Sequence, residues 1–366
     1  MTKFNKKTVD FQSMFLCSSN VQTNLALFAL LKRNVGFLMI GLAIMVGFIS
    51  CEKPGNGDPG NGNNGSSTKG TIVFRVNGED LVAFEINADA KDVTVDWGDG
   101  IISNAPNRSD DKWSSYRHEN SNISNYTITI SGTGITSFVS DEYSYSFYSG
   151  DYGASVTFLD VSECASLQYL SLAADMGLLD VSKCTALTYL EILGKLSSLN
   201  VSKCTMLDTL LIDSYSRYHS EEDYGLNSLD VSECTKLTYL DVQSNSLNSL
   251  NVSKCTALTY LDVMSDELSS LDVSKCTALT YLSLFGYDNY GNLSSLDVSK
   301  CTELTYLHIG GNEFTASSLN ALFGTLPTRI DSDNAVCYVY NNPGSSTCDR
   351  SIAENKGWSI KYRQDY

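Results

Sequence analysis

The chain is poor in the residues that most enzyme chemistry uses. Its 366 residues include only three histidines, His118, His219 and His308. No GxSxG, HExxH or glycine-rich phosphate loop joins them to a nucleophile or a metal set. The sequence therefore implies no catalytic centre, no cofactor and no metal ion. Basic residues are scarce as well: 25 Lys and Arg stand against 42 Asp and Glu, for a net charge of −17. The first fifty residues hold five basic and one acidic side chain, so the remainder carries −21. Phosphate recognition needs Lys and Arg gathered on one face, and no such stretch exists, which excludes nucleic acid as a partner. The same charge disfavours lying flat on an anionic membrane. Apolar residues make up 42% of the chain, enough for a sizeable core and against wholesale disorder.

One long apolar run is present. Residues 35–50 (VGFLMIGLAIMVGFIS) are uncharged, follow Lys32 and Arg33, and are followed at once by Cys51. Their sixteen residues fall short of the roughly 20 that span a bilayer as a helix. A basic flank, an apolar stretch and a small residue at the cut describe a secretory signal. Phe48, Ile49, Ser50 and Cys51 resemble the box of bacterial lipoproteins. That resemblance implies cleavage of residues 1–50, lipidation of Cys51 and a lipid-anchored place in the cell envelope, at the outer-membrane surface. Residues 51–70 then form a flexible tether, dense in Gly, Asn and Pro and without a large apolar side chain after the cysteine.

From 71 to 134 the pattern has period two. Ile72, Phe74 and Val76 alternate with polar residues, as do Val93, Val95 and Trp97, and later Tyr126, Ile128 and Ile130. Asn77-Gly78 supplies the favoured two-residue hairpin turn. Strands of this length with Asn, Gly and Asp turns predict a compact β-sandwich. The run Val95-Asp96-Trp97-Gly98-Asp99-Gly100, followed by Tyr126–Ile130, resembles the polycystic-kidney-disease (PKD) immunoglobulin-like module. Asp96 and Asp99, beside glycines, are read as turn caps rather than metal ligands.

The decisive pattern starts near residue 159. The block D/N-V-S-K/E-C-x-x-L-x-x-L opens at Asp160, Asp180, Asn200, Asp230, Asn251, Asp272 and Asp297. A base period of 20–21 with apolar residues at fixed phase is the leucine-rich-repeat signature. The cleanest copy, Leu237, Leu240, Val242, Asn245, Leu247 and Leu250, matches LxxLxLxxNxL in full, and the other copies replace the Asn. The ensemble resembles the internalin-like repeat lipoproteins of bacterial cell surfaces, in which a PKD-like module precedes the repeats. The predicted architecture is α+β but mostly β. A small PKD-like sandwich (71–134) leads into a leucine-rich-repeat solenoid with a parallel concave sheet (135–326), closed by a C-terminal cap (327–366). Ile135 and Phe138 suit an opening coil, Leu319, Leu322, Phe323 and Leu326 a helix stopping at Pro327. Val336–Tyr340, Ser351–Lys356 and Trp358–Tyr362 read as strand, helix and strand of the cap.

Of eleven cysteines, seven (Cys164, Cys184, Cys204, Cys234, Cys255, Cys276 and Cys301) share one phase of the repeat. No CxxC spacing occurs, and side chains at equivalent positions point in parallel, so these read as buried hydrophobic thiols in the convex wall. Cys337 and Cys348 lie off that register, where a disulfide closing a short loop is expected. The Asp or Asn opening each block, with Ser two positions on, suits an Asx turn.

In LxxLxLxxN the third, fifth and seventh positions face outward on the concave sheet. The third is nearly uniform: Tyr169, Tyr189, Thr209, Tyr239, Tyr260, Tyr281 and Tyr306. The variable fifth and seventh positions, Glu191, Asp241, Asp262, Gln243, Met264 and Phe285 among them, are candidates for specificity. An exposed tyrosine column is a broad amphipathic surface suited to protein or sugar contact; the alternative is that Tyr favours strands and stacks on its neighbours. His308, opposite Ser283, reads as a surface residue. Three insertions enter the coils at one phase and should emerge along one edge. They carry Tyr143, Tyr145 and Tyr148, then Tyr215, Tyr218 and Tyr224, then Tyr287 and Tyr290, in the Tyr/Ser/Gly/Asp mixture of antibody paratopes. Two functions suit this inventory. One is a surface-anchored, non-catalytic protein binder in adhesion or in recognition of a host or neighbouring cell. The other is a glycan-binding component of a surface nutrient-uptake system.

Overall fold

The computed structural model describes residues 69–77, 81–87, 89–110, 112–119, 126–140, 155–214, 225–286, 290–330 and 333–362. All lie in one of the two compact units of the chain, Gly65–Gln364. The apolar run 35–50 and Cys51 fall outside the described residues, as do Tyr143, Tyr145, Tyr148, Tyr215, Tyr218, Tyr224 and Tyr287 of the insertions. Among the described residues no helix is long and apolar enough to cross a membrane.

The period-two segment and the start of the stretch assigned to the repeats together form nine strands: β1 (Lys69–Asn77), β2 (Leu81–Asn87), β3 (Lys91–Asp96), β4 (Ile102–Ser103), β5 (Arg108–Ser109), β6 (Trp113–Glu119), β7 (Ile128–Thr133), β8 (Ser137–Ser140) and β9 (Ser155–Asp160). They make two antiparallel sheets, β9-β1-β7-β3-β4 and β8-β2-β6-β5. The hairpin expected across Asn77-Gly78 is not formed, because β1 pairs with β7 and β9 while β2 pairs with β6 and β8. The physical reason lies in the core. Ile72, Phe74 and Val76 need a facing apolar layer, and Val82, Phe84 and Ile86 supply it from the opposite sheet, with the Phe74 and Phe84 rings edge-on at 5.6 Å. A hairpin would have placed both sets in one sheet with nothing opposite.

The repeats continue as strands stacked in parallel: β10 (Tyr169–Asp180), β11 (Tyr189–Asn200), β12 (Thr209–Asp213), β14 (Tyr239–Gln243), β16 (Tyr260–Met264), β17 (Tyr281–Phe285), β18 (Tyr306–His308), β19 (Val336–Tyr338) and β20 (Ser359–Lys361). The register is one residue to its equivalent one coil on, so Leu170, Leu190, Leu210, Leu240, Leu261, Leu282 and Leu307 form a single inward column. A second, narrower sheet pairs β13 (Ser228–Asp230) with β15 (Ser249–Asn251). β10 joins the sandwich to the solenoid: it pairs with β8 through Tyr169–Ser171 and with β9 at Ala174. Among the described residues the strand pairings branch at β10 and do not return to close a ring. One apolar core runs without a break from Ile72 to Trp358. An isolated coil cannot bury enough to offset the ordering of about twenty residues, and stacking on both sides removes that deficit.

The convex wall follows the sequence closely. In all seven blocks the opening Asp or Asn Oδ1 accepts from the Ser amide two residues on, at 2.8–3.2 Å. All seven block cysteines are fully buried free thiols. Cys184, Cys204, Cys234, Cys255, Cys276 and Cys301 each donate to the carbonyl of the valine in the preceding coil, at 3.3–3.8 Å. Cys164, the first rung, donates instead to Thr71 O of β1 at 3.2 Å, so the sandwich seals the open end of the row. Burial pushes these thiols up, to about 11 for Cys164, Cys255 and Cys301 and about 12 for Cys184, Cys204, Cys234 and Cys276.

The far end is closed by α1 (Ala316–Thr325), β19, α2 (Ser351–Glu354) and β20, in the order the pattern implies. Thr315 Oγ1 caps α1 by accepting from Ser318 N at 3.2 Å, and Leu319, Leu322 and Phe323 face the core. The Lys356 ammonium donates to Gly324 O and Leu326 O, satisfying carbonyls at the end of the helix. Cys337 and Cys348, expected as a bridge, stand as free thiols: Cys337 in the inward column between Leu307 and Ile360, and Cys348 in a turn, donating to Ser345 O at 3.5 Å. One expectation is corrected here. The repeat Asn recurs beyond Asn245. Asn312 donates from Nδ2 to Leu284 O at 2.8 Å, and Asn342 to Ile309 O at 2.8 Å, each tying its coil to the one before.

Candidate functional site

The outward side of the parallel sheet carries the predicted columns in the predicted register. Tyr169, Tyr189, Thr209, Tyr239, Tyr260, Tyr281 and Tyr306 are directly paired in sequence of coils. These rings are not independent platforms. Tyr169 and Tyr189 stack at 4.5 Å and 5°, Tyr239 and Tyr260 at 4.2 Å and 3°, Tyr260 and Tyr281 at 4.3 Å and 9°, Tyr281 and Tyr306 at 4.2 Å and 8°. The sheet's own strand spacing of about 4.8 Å sets this distance, which suits parallel π-faces. Trp113 of β6 closes one end, edge-on to Tyr169 at 5.9 Å, and Tyr338 leans on Tyr306 at 5.6 Å at the other. The column expected to be exposed is half-buried, and Tyr169 is buried, because each ring covers the next.

The fifth position is a polar floor under the rings. Glu191, Asp241, Ser283 and His308 are buried there, with Ser171, Leu211 and Asp262 half-buried. Ser171 Oγ donates to Glu191 at 2.9 Å, Tyr260 Oη to Asp262 at 3.2 Å, and Gln243 Nε2 to Asp241 at 3.4 Å. Burial first, and then the adjacent carboxylates, hold the phenols of Tyr189, Tyr239, Tyr260 and Tyr281 well above the ordinary tyrosine range. These hydroxyls are hydrogen-bond donors at neutral pH, not nucleophiles. The seventh position adds half-buried Gln243, Met264 and Phe285.

His308 is not the surface residue its isolation in the sequence implies. Its ring lies between Ser283 Oγ at 3.4 Å and Tyr340 Oη at 3.0 Å, stacked on Phe285 at 5.1 Å. Gly310 makes room for it, since a Cβ there would meet His308 Nε2 at 2.9 Å and the Tyr340 ring at 3.0 Å. Nothing in the local sequence announces Tyr340 as its partner, because the contact crosses 32 residues. His118 is a second pairing that sequence reading missed: it holds Asp99 at 2.7 Å and stacks on Trp97 at 4.8 Å. Asp96 and Asp99 do cap their turns, accepting from Gly98 N and Ile101 N at 2.9 Å. Among the described residues no three metal-ligating side chains converge. A cleft of about 650 Å³ opens on the sandwich beside Asp92, Val93, Thr94, Ser109, Ser114 and Tyr116. Of the edge-loop tyrosines only Tyr290 is described, and it is 72% exposed.

No family model matches the chain, and no curated protein matches it. Among the solved structures it is similar to are two from Listeria monocytogenes. The functional domain of InlJ from Listeria monocytogenes, described as including a cysteine ladder, shares 30% identity over 54% of this chain and 40% of that one, with a TM-score of 0.40. The internalin inlF from Listeria monocytogenes str. 4b F2365 shares 20% identity over 50% of this chain and 69% of that one, with a TM-score of 0.21. The chain thus spans less than half the length of the first of these.

Proposed function

We propose that this chain is a cell-surface, non-catalytic binding protein that recognises a protein on a host or neighbouring cell through the outward columns of its parallel sheet. The observation that carries this reading is the sheet itself. Nine successive coils hold their outward side chains in strict register, with varied polar and apolar groups at the fifth and seventh positions beside a rigid tyrosine stack. Rigid aromatic edges flanked by adaptable polar groups suit a protein footprint. The glycan alternative is weaker, because a sugar stacks on an aromatic face and most of these faces are already taken by neighbouring rings at 4.2–4.5 Å. Anchorage belongs to the same proposal: Lys32, Arg33, the apolar run 35–50 and Cys51 support a lipidated N-terminus at the outer-membrane surface. A deletion of residues 1–50, or Cys51→Ala, should release the protein from the membrane fraction.

The test pairs a glycan array with capture of labelled surface proteins from intact cells, using the full chain as bait. Recognition through the sheet requires a protein captured by the wild type and lost in Gln243→Arg/Met264→Arg, with the melting temperature unchanged. A glycan hit without a captured protein, or capture indifferent to those substitutions, would contradict it.

A further inference from the structure

The tyrosine stack has one missing rung. In β12 the third position is Thr209, paired on one side with Tyr189 and on the other with Tyr239. Tyr189 is parallel to Tyr169 within 5° and Tyr239 to Tyr260 within 3°, so each turns its other face along the stack toward Thr209. Two strand spacings separate those faces, about 9.6 Å. A flat group inserted midway would lie about 4.8 Å from both centroids, within the ~6 Å reach of a cation–π contact and close to the 4.2–4.5 Å at which the tyrosines stack on one another. The Thr209 hydroxyl is turned aside, donating to Asp208 at 3.1 Å.

The same coil breaks the polar floor. At the fifth position Leu211 lies between Glu191 and Asp241, an apolar side chain flanked by carboxylates on both neighbouring strands. Asp208 and Asp213 add negative charge from the coil itself. Across β10, β11, β12, β14, β16, β17 and β18 no Lys or Arg occupies the third, fifth or seventh position. Planarity, an apolar strip for methylene groups and surrounding negative charge together describe one side chain, arginine. Resting on the reading that this sheet binds a protein, we infer that the gap at Thr209 is a recognition slot for an arginine of the partner, its guanidinium sandwiched between Tyr189 and Tyr239 and its stem along Leu211. A phenyl ring would fill the gap equally well in shape but would draw nothing from the carboxylates. Lysine would draw on the carboxylates without the planar stack.

The slot is tested directly, without knowledge of the partner, by ligand-observed NMR on the full chain with N-acetyl-arginine amide, N-acetyl-lysine amide and N-acetyl-phenylalanine amide. The arginine amide should bind roughly tenfold more tightly than the other two. Thr209→Tyr supplies the missing ring and should bring the arginine-to-lysine ratio to about one, while leaving the melting temperature unchanged or higher. Tyr189→Leu and Tyr239→Leu, which remove one wall each, should lower the same ratio whether or not Thr209→Tyr folds. Equal binding of arginine and lysine, binding of the phenylalanine amide as tight as the arginine amide, or a ratio untouched by all three variants would overturn the inference. Arg217 lies in residues 215–224, which follow this coil. A several-fold gain in arginine-amide affinity on Arg217→Ala would also overturn it, by making the occupant this chain's own arginine. The two readings fail separately: a Thr209→Tyr chain that still captures its surface protein keeps the binding function and removes the slot.

Discussion

Two columns run the length of the solenoid, and they obey the same repeat to different ends. The cysteine column is complete in seven blocks out of seven, with every sulfur fully buried and six of them bonded to the valine carbonyl of the coil before. The tyrosine column is broken once, at Thr209, and its rings are half-buried apart from buried Tyr169. A wall packed to interior density tolerates no exception, because a different volume is felt at once by both neighbouring coils. A stack on the outer side of a sheet loses only its pairwise contacts when one rung is missing. Regularity therefore marks structure in both columns, and the interruption marks the place where another requirement has entered.

The sharpest way to break this comparison uses one coil. Cys204 and Thr209 are five residues apart, one in each column. Cys204→Lys places an unpaired charge in the dry wall and should cost about 3 kcal/mol or more, whereas Thr209→Lys should change stability by no more than about 0.5–1 kcal/mol. Urea midpoints measure both, and similar losses would erase the distinction. Within the tyrosine column and among the described residues, Tyr260 is stacked on two sides and Tyr189 on one. At about 0.5–1.5 kcal/mol for each aromatic pair, Tyr260→Ala should lose about twice the stacking energy of Tyr189→Ala.

Titration acts on both columns in the same direction. A buried thiol held up to about 11–12 keeps its proton in the folded chain after the unfolded chain has begun to lose it, near pH 9. That stabilisation is complete below pH 9 and is lost as pH rises through 11–12. The phenols of Tyr189, Tyr239, Tyr260 and Tyr281 act in the same direction. The melting temperature should thus fall steeply in alkali, and a chain with two ladder cysteines replaced by Ala should fall less steeply from its own starting point. The block-opening carboxylates give the smallest effect. Ser274 holds Asp272 below the usual carboxylate range, and Ser299 does so for Asp297. Their contribution is present above about pH 4 and is lost as pH falls through the lowered folded value. Asp272→Asn should slightly flatten that acid limb and leave the melting temperature at pH 7 almost unchanged.

Much of the fold was legible because its causes are local and repeated. The Asx turns, the inward leucines, the buried thiols and the order of the cap elements each follow from residues within a single period. What escaped depends on contacts between distant segments. Asn77-Gly78 reads as a hairpin by local preference, yet Phe74 and Phe84 require their strands to face one another across a core. Cys337 reads as lying off the repeat register, yet strand pairing places it in the inward column between Leu307 and Ile360. His308 reads as isolated until Tyr340, 32 residues on, is brought above it. The repeat phase predicts the outward columns, but only coordinates reveal that the rings cover one another.

The claim that all tandem blocks share one interior is tested most directly by thiol alkylation of the full chain, read by peptide mass spectrometry along a urea gradient. The seven ladder cysteines should be unmodified in native buffer, while half-exposed Cys348 reacts, and all seven should become reactive together across a single transition. Prompt native labelling of several ladder cysteines, or their exposure in separate steps coil by coil, would contradict the account.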